Sequence, residues 1–250
     1  MTSDAVRVER EGAVAILTMN RPERRNAINA ALARGVCDAI AAAQDARAIV
    51  LTGADPAFSA GLDLRDLGVE KLVDLPPIMR AVGDSGVPII AAVNGPAVTG
   101  GFEIALLCDF MVASERASFA DTHVRVGVFP GPVLLELPKR VGMVRAREMS
   151  LTGNFVDAKT ALAIGLVNHV VPHAELLPFA KKLAADIAEG DPELVGLIRR
   201  AWVSTTNVAG MDAKVRHVSY QRLGGNSAKK GSEIAARRDA VVRRARSQRE

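Results

Sequence analysis

The groups best placed to do chemistry in this chain are two turns that expose backbone N–H donors. Phe58–Leu64, FSAGLDL, follows the apolar stretch Ala48–Thr52, at a point where a chain leaving a sheet can present its amides. Asn94–Glu103, NGPAVTGGFE, places Gly100 and Gly101 at the start of an apolar helix. Their N–H groups therefore lack intrahelical acceptors and point, with the helix dipole, at negative charge beyond. Preorganised donors of this kind suit a carbonyl that gains charge as it reacts, and each is worth about 3–4 kcal/mol of barrier. Neither turn is a phosphate loop, because the chain has no GxxxxGK(S/T) pattern and no GxGxxG after its first strand, which argues against nucleoside triphosphates and NAD.

Glu103 lies three residues beyond Gly100. In a first helical turn a carboxylate caps amides and complements the dipole; if buried, its pKa rises towards the range useful for proton transfer, although the helix amides oppose that shift. Asp63, after Gly61, reads first as a turn-stabilising carboxylate. Glu136, beyond Pro130-Gly131, follows the apolar run Pro132–Leu135, PVLL, which would suit the lining of an apolar pocket. His169 and His173 have the spacing of a metal pair, but Pro172 between them prevents a shared helical face, so no metal is expected.

The elements that must position these groups emerge from periodicity. Val6–Glu9 and Val14–Met19 flank Glu11-Gly12 as a hairpin. After Asn29, a candidate N-cap, Leu32, Val36 and Ile40 share a helical face, and Ala48–Thr52 is a short buried strand. Helix around Ile78–Val82, strand Pro88–Val93, helix Gly100–Leu107 and strand Asp109–Ala113 repeat the alternation, which indicates an α/β architecture. From about His173 the strand signals stop, and Leu176–Ala188, Pro192–Val203, Met211–Leu223 and Glu233–Arg246 read as helices. The expected division is therefore 1–172 for the core and 173–250 for a helical part.

The chain has 250 residues, 49% hydrophobic and 24% charged, enough to bury a core without cross-links. Cys37 and Cys108 offer neither a zinc spacing nor an oxidised framework, which suits a reducing cytoplasm. No apolar run approaches the roughly 20 residues of a membrane span, and no signal-peptide pattern opens the chain. The net charge of +4 is concentrated in residues 229–250, with eight Lys or Arg against three acids. With aromatics at 4%, neither nucleic acid nor a membrane is an expected partner.

The strings RPERRNAI, FSAGLDL, AVNGPAVTGGFEIALLCDF and LTGNFVDAKTALAIGLVNHVV, in this order, resemble the enoyl-CoA hydratase/isomerase (crotonase) superfamily over essentially the whole chain from Val6. The resemblance implies an α/β fold, a crotonase-like spiral of ββα units, with a C-terminal α-helical part used in trimer or hexamer assembly and as pocket cover. It implies an acyl-CoA thioester substrate and no cofactor beyond the coenzyme A that the substrate carries. Matched residue by residue, it gives the two amides that hold the enolate oxygen as Leu62 and Gly100, and one of two catalytic glutamates as Glu103. It places Arg24 and Arg25 near the coenzyme A phosphates, where arginine's fork fits, and adenine against backbone around Ala60 and Leu62, with Asp63 beside them.

The position of the second glutamate is where this chain departs from the hydratase pattern: FADTHVRVGVFPG, starting at Phe119, carries His123 there. Imidazole serves as acid or base near neutral pH. Asp121 is placed to orient it, and a short helix starting at His123 with Thr122 as cap would favour the neutral ring. The leading expectation is an enoyl-CoA hydratase-like enzyme with Glu103 and His123 as the proton-transfer pair. The alternatives are an enoyl-CoA double-bond isomerase, which can manage with one base, and a non-catalytic acyl-CoA binding protein.

Overall fold

The computed structural model describes residues 5–63 and 75–205. Strands β1 (Val6–Glu11) and β2 (Val14–Met19) form the expected antiparallel hairpin. Helix α1 (Ala30–Ala42) begins where its cap requires, with the Asn29 side chain accepting the Leu32 N–H at 2.9 Å. Strand β3 (Ala48–Gly53), helix α2 (Pro76–Gly83) and strand β4 (Ile89–Val93) come next. Then come β5 (Pro96–Val98), α3 (Gly100–Leu107), β6 (Phe110–Ser114), β7 (Ser118–Ala120) and the one-turn helix α4 (His123–Val126). Helix α5 (Val133–Thr152) is broken at Gly142, whose φ of +74° is open to glycine and not to most residues. β8 (Val156–Asp157), α6 (Ala158–Ala163), β9 (His169–Val171) and α7 (Leu176–Ala188) complete the first compact unit.

The larger sheet runs β1-β2-β3-β4-β6-β9, and all its pairings after the hairpin are parallel. Its inner strands β2, β3, β4 and β6 are buried on both faces, as parallel crossover units demand, whereas edge strand β1 is exposed beyond Val6. Period-two alternation decides which side chain goes where: Ala48 and Val50 meet the α7 face, while Ile49 and Leu51 join the core under α1, α2 and α3. Helix α7 supplies Leu176, Ala180 and Ala184 at one-turn spacing to that face, so it belongs with the sheet. The chain divides into compact units at 189–190, with α7 in the first, where a helix bearing such a stripe packs on the uncovered sheet face.

The second unit, taken by itself, contains α8 (Pro192–Thr205) among the described residues. The helices expected at Met211–Leu223 and Glu233–Arg246 lie outside the described residues. Among the described residues no helix is long and apolar enough to cross a membrane.

A small second sheet, β5-β7-β8, was not legible in the sequence, because its strands are two or three residues long and carry no alternation to count. It is the element that positions the site.

Candidate active site

Three chain segments emerge side by side from that small sheet. β5 and β7 pair in parallel with Val98 opposite Ala120. Ser59 bridges to Ala97 in parallel, with the Ser59 N–H donating to Pro96 O at 3.2 Å and the Val98 N–H donating to Ser59 O at 3.0 Å. Parallel pairing sends all three chains out at the same edge. Ser59 leads to Gly61-Leu62, Val98 leads to Gly100 and Glu103, and Ala120 leads to Asp121 and His123.

The first turn is held from its other side. Ile28 bridges Leu62 in parallel, its N–H donating to Gly61 O at 2.7 Å and its carbonyl accepting the Asp63 N–H at 3.0 Å. In such a ladder the N–H of Leu62 itself points away from Ile28. A Cβ built on Gly100 would lie 3.9 Å from that nitrogen, so the two expected donors are close neighbours. Among the described residues neither the Leu62 nor the Gly100 N–H has an acceptor. Gly100 is the first residue of α3, where an N–H has no intrahelical partner. Such a pair of donors can receive one carbonyl oxygen.

Close docking of the turns depends on glycine. A Cβ on Gly61, which sits at φ +85°, would come within 2.0 Å of Thr99 Oγ1, and one on Gly101 within 2.4 Å of Ser59 O. Thr99 has φ +45° and ψ −117°, a strained conformation for a β-branched residue. Its N–H is anchored to Ala120 O at 2.9 Å, and its carbonyl accepts the Glu103 N–H at 2.8 Å.

Glu103 is 2% exposed. Its Oε1 accepts the Gly131 N–H at 2.9 Å and the Val133 N–H at 3.2 Å, which leaves Oε2 facing His123 Nε2 at 4.0 Å. Burial pushes the carboxyl above its ordinary value; the Val133 and Gly131 amides and the facing ring offset part of that rise. The capping role is thus filled by donors from the segment leading into α5, not by the amides of its own helix.

His123 is 7% exposed, and its Nδ1 lies 2.6 Å from Asp121 Oδ1. Burial opposes a charged ring, but the Asp121 bond and the charges of Glu103 and Asp121 outweigh it and raise the imidazole above its usual value. The expectation that the short helix would favour the neutral ring is therefore corrected. Thr122 makes no side-chain cap, and α4 spans only four residues, so two nearby carboxylates dominate a weak dipole.

The remaining expected residues have varied surroundings. Arg24 and Arg25 are exposed, and the Arg25 carbonyl accepts the Ala60 N–H at 2.9 Å, which sets this arginine pair beside the Leu62 turn. Asp63 is bound by Arg21, Nη2 to Oδ2 at 3.1 Å, in keeping with its turn-stabilising reading. Glu136, half-buried, pairs with Lys139 of the same helix at 2.7 Å. His169 packs its ring edge-on to Phe179, whereas His173 bonds Asp55 and Ser114. The two histidines address different partners.

Asn26 was missed. Fully buried at φ +53°, it donates from Nδ2 to Ala54 O at 2.8 Å and Ala57 O at 2.7 Å, while its Oδ1 accepts the Arg21 N–H. The Ser59 hydroxyl donates to its carbonyl. An asparagine tolerates the left-handed region that this turn requires, and the only sign of it in the sequence is Asn26 within RPERRNAI.

A buried carboxylate and a buried imidazole, on chain segments that leave the small sheet beside two partnerless amides, make up the candidate site, on a fold of alternating strands and helices. The enoyl-CoA hydratase/isomerase family model matches residues 9–231. A putative enoyl-CoA hydratase of Thermus thermophilus is 38% identical over 207 residues, covering 78% of this chain and 81% of its relative. A crotonyl-CoA hydratase of Syntrophomonas wolfei is 35% identical over 199 residues, covering 75% and 76%. The crystal structure of an enoyl-CoA hydratase subunit from Geobacillus kaustophilus superposes with a TM-score of 0.87 at 31% identity, covering 96% of this chain and 97% of that one. The chain belongs to the enoyl-CoA hydratase/isomerase family and has the crotonase fold.

Proposed function

We propose that this protein adds water across the double bond of an enoyl-CoA thioester. The thioester oxygen sits on the Leu62 and Gly100 N–H groups, which stabilise it as negative charge develops. Glu103 Oε2 takes a proton from water, whose oxygen bonds to Cβ. The protonated ring of His123 then delivers the Nε2 proton to Cα of the enolate. The observation that carries this reading is the pair Glu103 Oε2 and His123 Nε2, 4.0 Å apart, at the edge where the two partnerless amides emerge.

Arg24 and Arg25 are the residues we assign to the coenzyme A phosphates, and Ala60 and Leu62 offer backbone to the adenine. No cofactor beyond coenzyme A enters this scheme. Hydration of crotonyl-CoA, monitored by loss of the enoyl absorbance, tests it. Glu103→Gln and His123→Gln should each lower kcat by about 10²-fold or more with little change in binding of a non-reactive acyl-CoA. Loss in Glu103→Gln alone would indicate isomerisation by one base. A wild type that neither hydrates crotonyl-CoA nor shifts the double bond of an enoyl-CoA would indicate a binding protein.

We further propose a homo-oligomer, a trimer or hexamer, in the cytoplasm. Phe129, Leu135, Val144 and Leu151 expose their side chains on and before α5, apolar surface that a second copy could cover. Light scattering showing a stable 26.4 kDa species at micromolar concentration would contradict it.

A further inference from the structure

We propose that Asp121 is a positioning residue that acts through His123, accepting the Nδ1–H so that the ring presents only Nε2 to Glu103 and to the substrate. This deepens the hydratase reading and rests on it. Asp121 is 1% exposed and comes directly after β7. Its Oδ1 meets the ring at 2.6 Å but the His123 backbone N–H only at 3.4 Å, so its strong, charge-assisted bond goes to the imidazole and not to the turn.

The other oxygen, Oδ2, is buried and makes no hydrogen bond among the described residues. A neutral amide could brace a turn as well, without the desolvation that a buried carboxylate carries. A charge facing the ring has a different use: it selects the tautomer with Nδ1 protonated and favours the imidazolium that donates from Nε2. Burial works against the Asp121 carboxylate, yet the His123 ring and the nearby Ser150 side chain of α5 hold it below the usual range. Among the described residues the charged groups facing His123 are Asp121 from the end of β7 and Glu103 from α3. Arg125, on α4 itself, is directed to Thr152 O, Gly153 O and Asn154 Oδ1 instead.

The test combines the pH dependence of crotonyl-CoA hydration with imidazole nitrogen NMR of the full chain. Donation from Nε2 requires the charged ring, so kcat falls as pH rises through the His123 pKa. In Asp121→Asn that alkaline limb should move to lower pH, with kcat down about 100-fold at pH 8, a much smaller loss at pH 6, and KM within about 2-fold. In the His123→Gln background the same substitution should change kcat by less than about 2-fold, because its effect runs through the ring. In the wild type, His123 when neutral should carry its proton on Nδ1. An unmoved alkaline limb in Asp121→Asn, an equal loss in both backgrounds, or an Nε2–H tautomer in the wild type would overturn the assignment. The tautomer measurement needs no variant to fold. A wild type without hydration activity would instead refute the reaction, leaving the ring's tautomer to be read by itself.

Discussion

Val98 and Ala120 stand opposite each other in the parallel pair β5·β7, and the next residue, Thr99, reaches back with its N–H to the Ala120 carbonyl at 2.9 Å. This one contact sets the donor turn beside the acid/base segment. The chain beyond Val98 and the chain beyond Ala120 must leave the sheet together, the first carrying Gly100 and Glu103 and the second Asp121 and His123.

Gly100→Pro removes a donor at the first position of α3, where proline's fixed φ is compatible with a helix. We expect kcat to fall about 10²–10³-fold, with circular dichroism and thermal melting confirming the fold. Leu62→Ala keeps its N–H and should stay within a few-fold of wild type. Full activity in a folded Gly100→Pro variant would refute the oxyanion assignment.

Glu103 and His123 both have folded-state pKa values raised above their ordinary ones. Each therefore contributes stability that is complete below its unfolded value, 4.5 and 6.5 respectively, and is lost as pH rises through the folded value. Between pH 6 and 8 the wild-type Tm should fall, and His123→Gln should flatten that fall. Identical slopes in calorimetry would show that the ring gains nothing from its carboxylates.

Asn26→Ala leaves the carbonyls of Ala54 and Ala57 without their buried donor. Urea denaturation should show a loss of about 1–3 kcal/mol for such a group. Because the same residue braces the Leu62 turn, kcat should fall as well. A stability loss with unaltered kinetics would separate the turn from the site.

Arg24→Ala with Arg25→Ala should raise KM for coenzyme A thioesters several-fold while leaving kcat in place, the pattern of lost ground-state binding. The effect should weaken at high salt. Pantetheine thioesters, which lack the nucleotide phosphates, should show no difference between wild type and the double variant; an equal rise in KM for both would move the phosphate site elsewhere.

The hairpin, the strand at Ala48, the helix from Gly100 to Leu107 and the Leu176–Ala188 helix were legible because each carries a period of its own, and the hydrophobic effect enforces period wherever a face is buried. Gly100 and Glu103 were legible for the same reason: three residues apart at a helix start, they share local geometry that no distant contact can alter. The resemblance paired Leu62 with Gly100 and Glu103 with His123, but the contacts by which distant segments come together needed the tertiary structure. Strands β5, β7 and β8 are too short to show alternation, and only their pairing joins Ser59, Ala97 and Phe119 in one small sheet. The capping of Glu103 by Gly131 and Val133, about thirty residues away, cannot be read from a helix considered alone. Nor can the charge preference of His123: the local helix argued for a neutral ring, but a buried carboxylate at 2.6 Å outweighs a four-residue dipole. Local propensity thus wrote the elements, and long-range packing decided which groups meet and in which protonation state, because electrostatic interaction in a buried site depends on distance through space and not on distance along the chain.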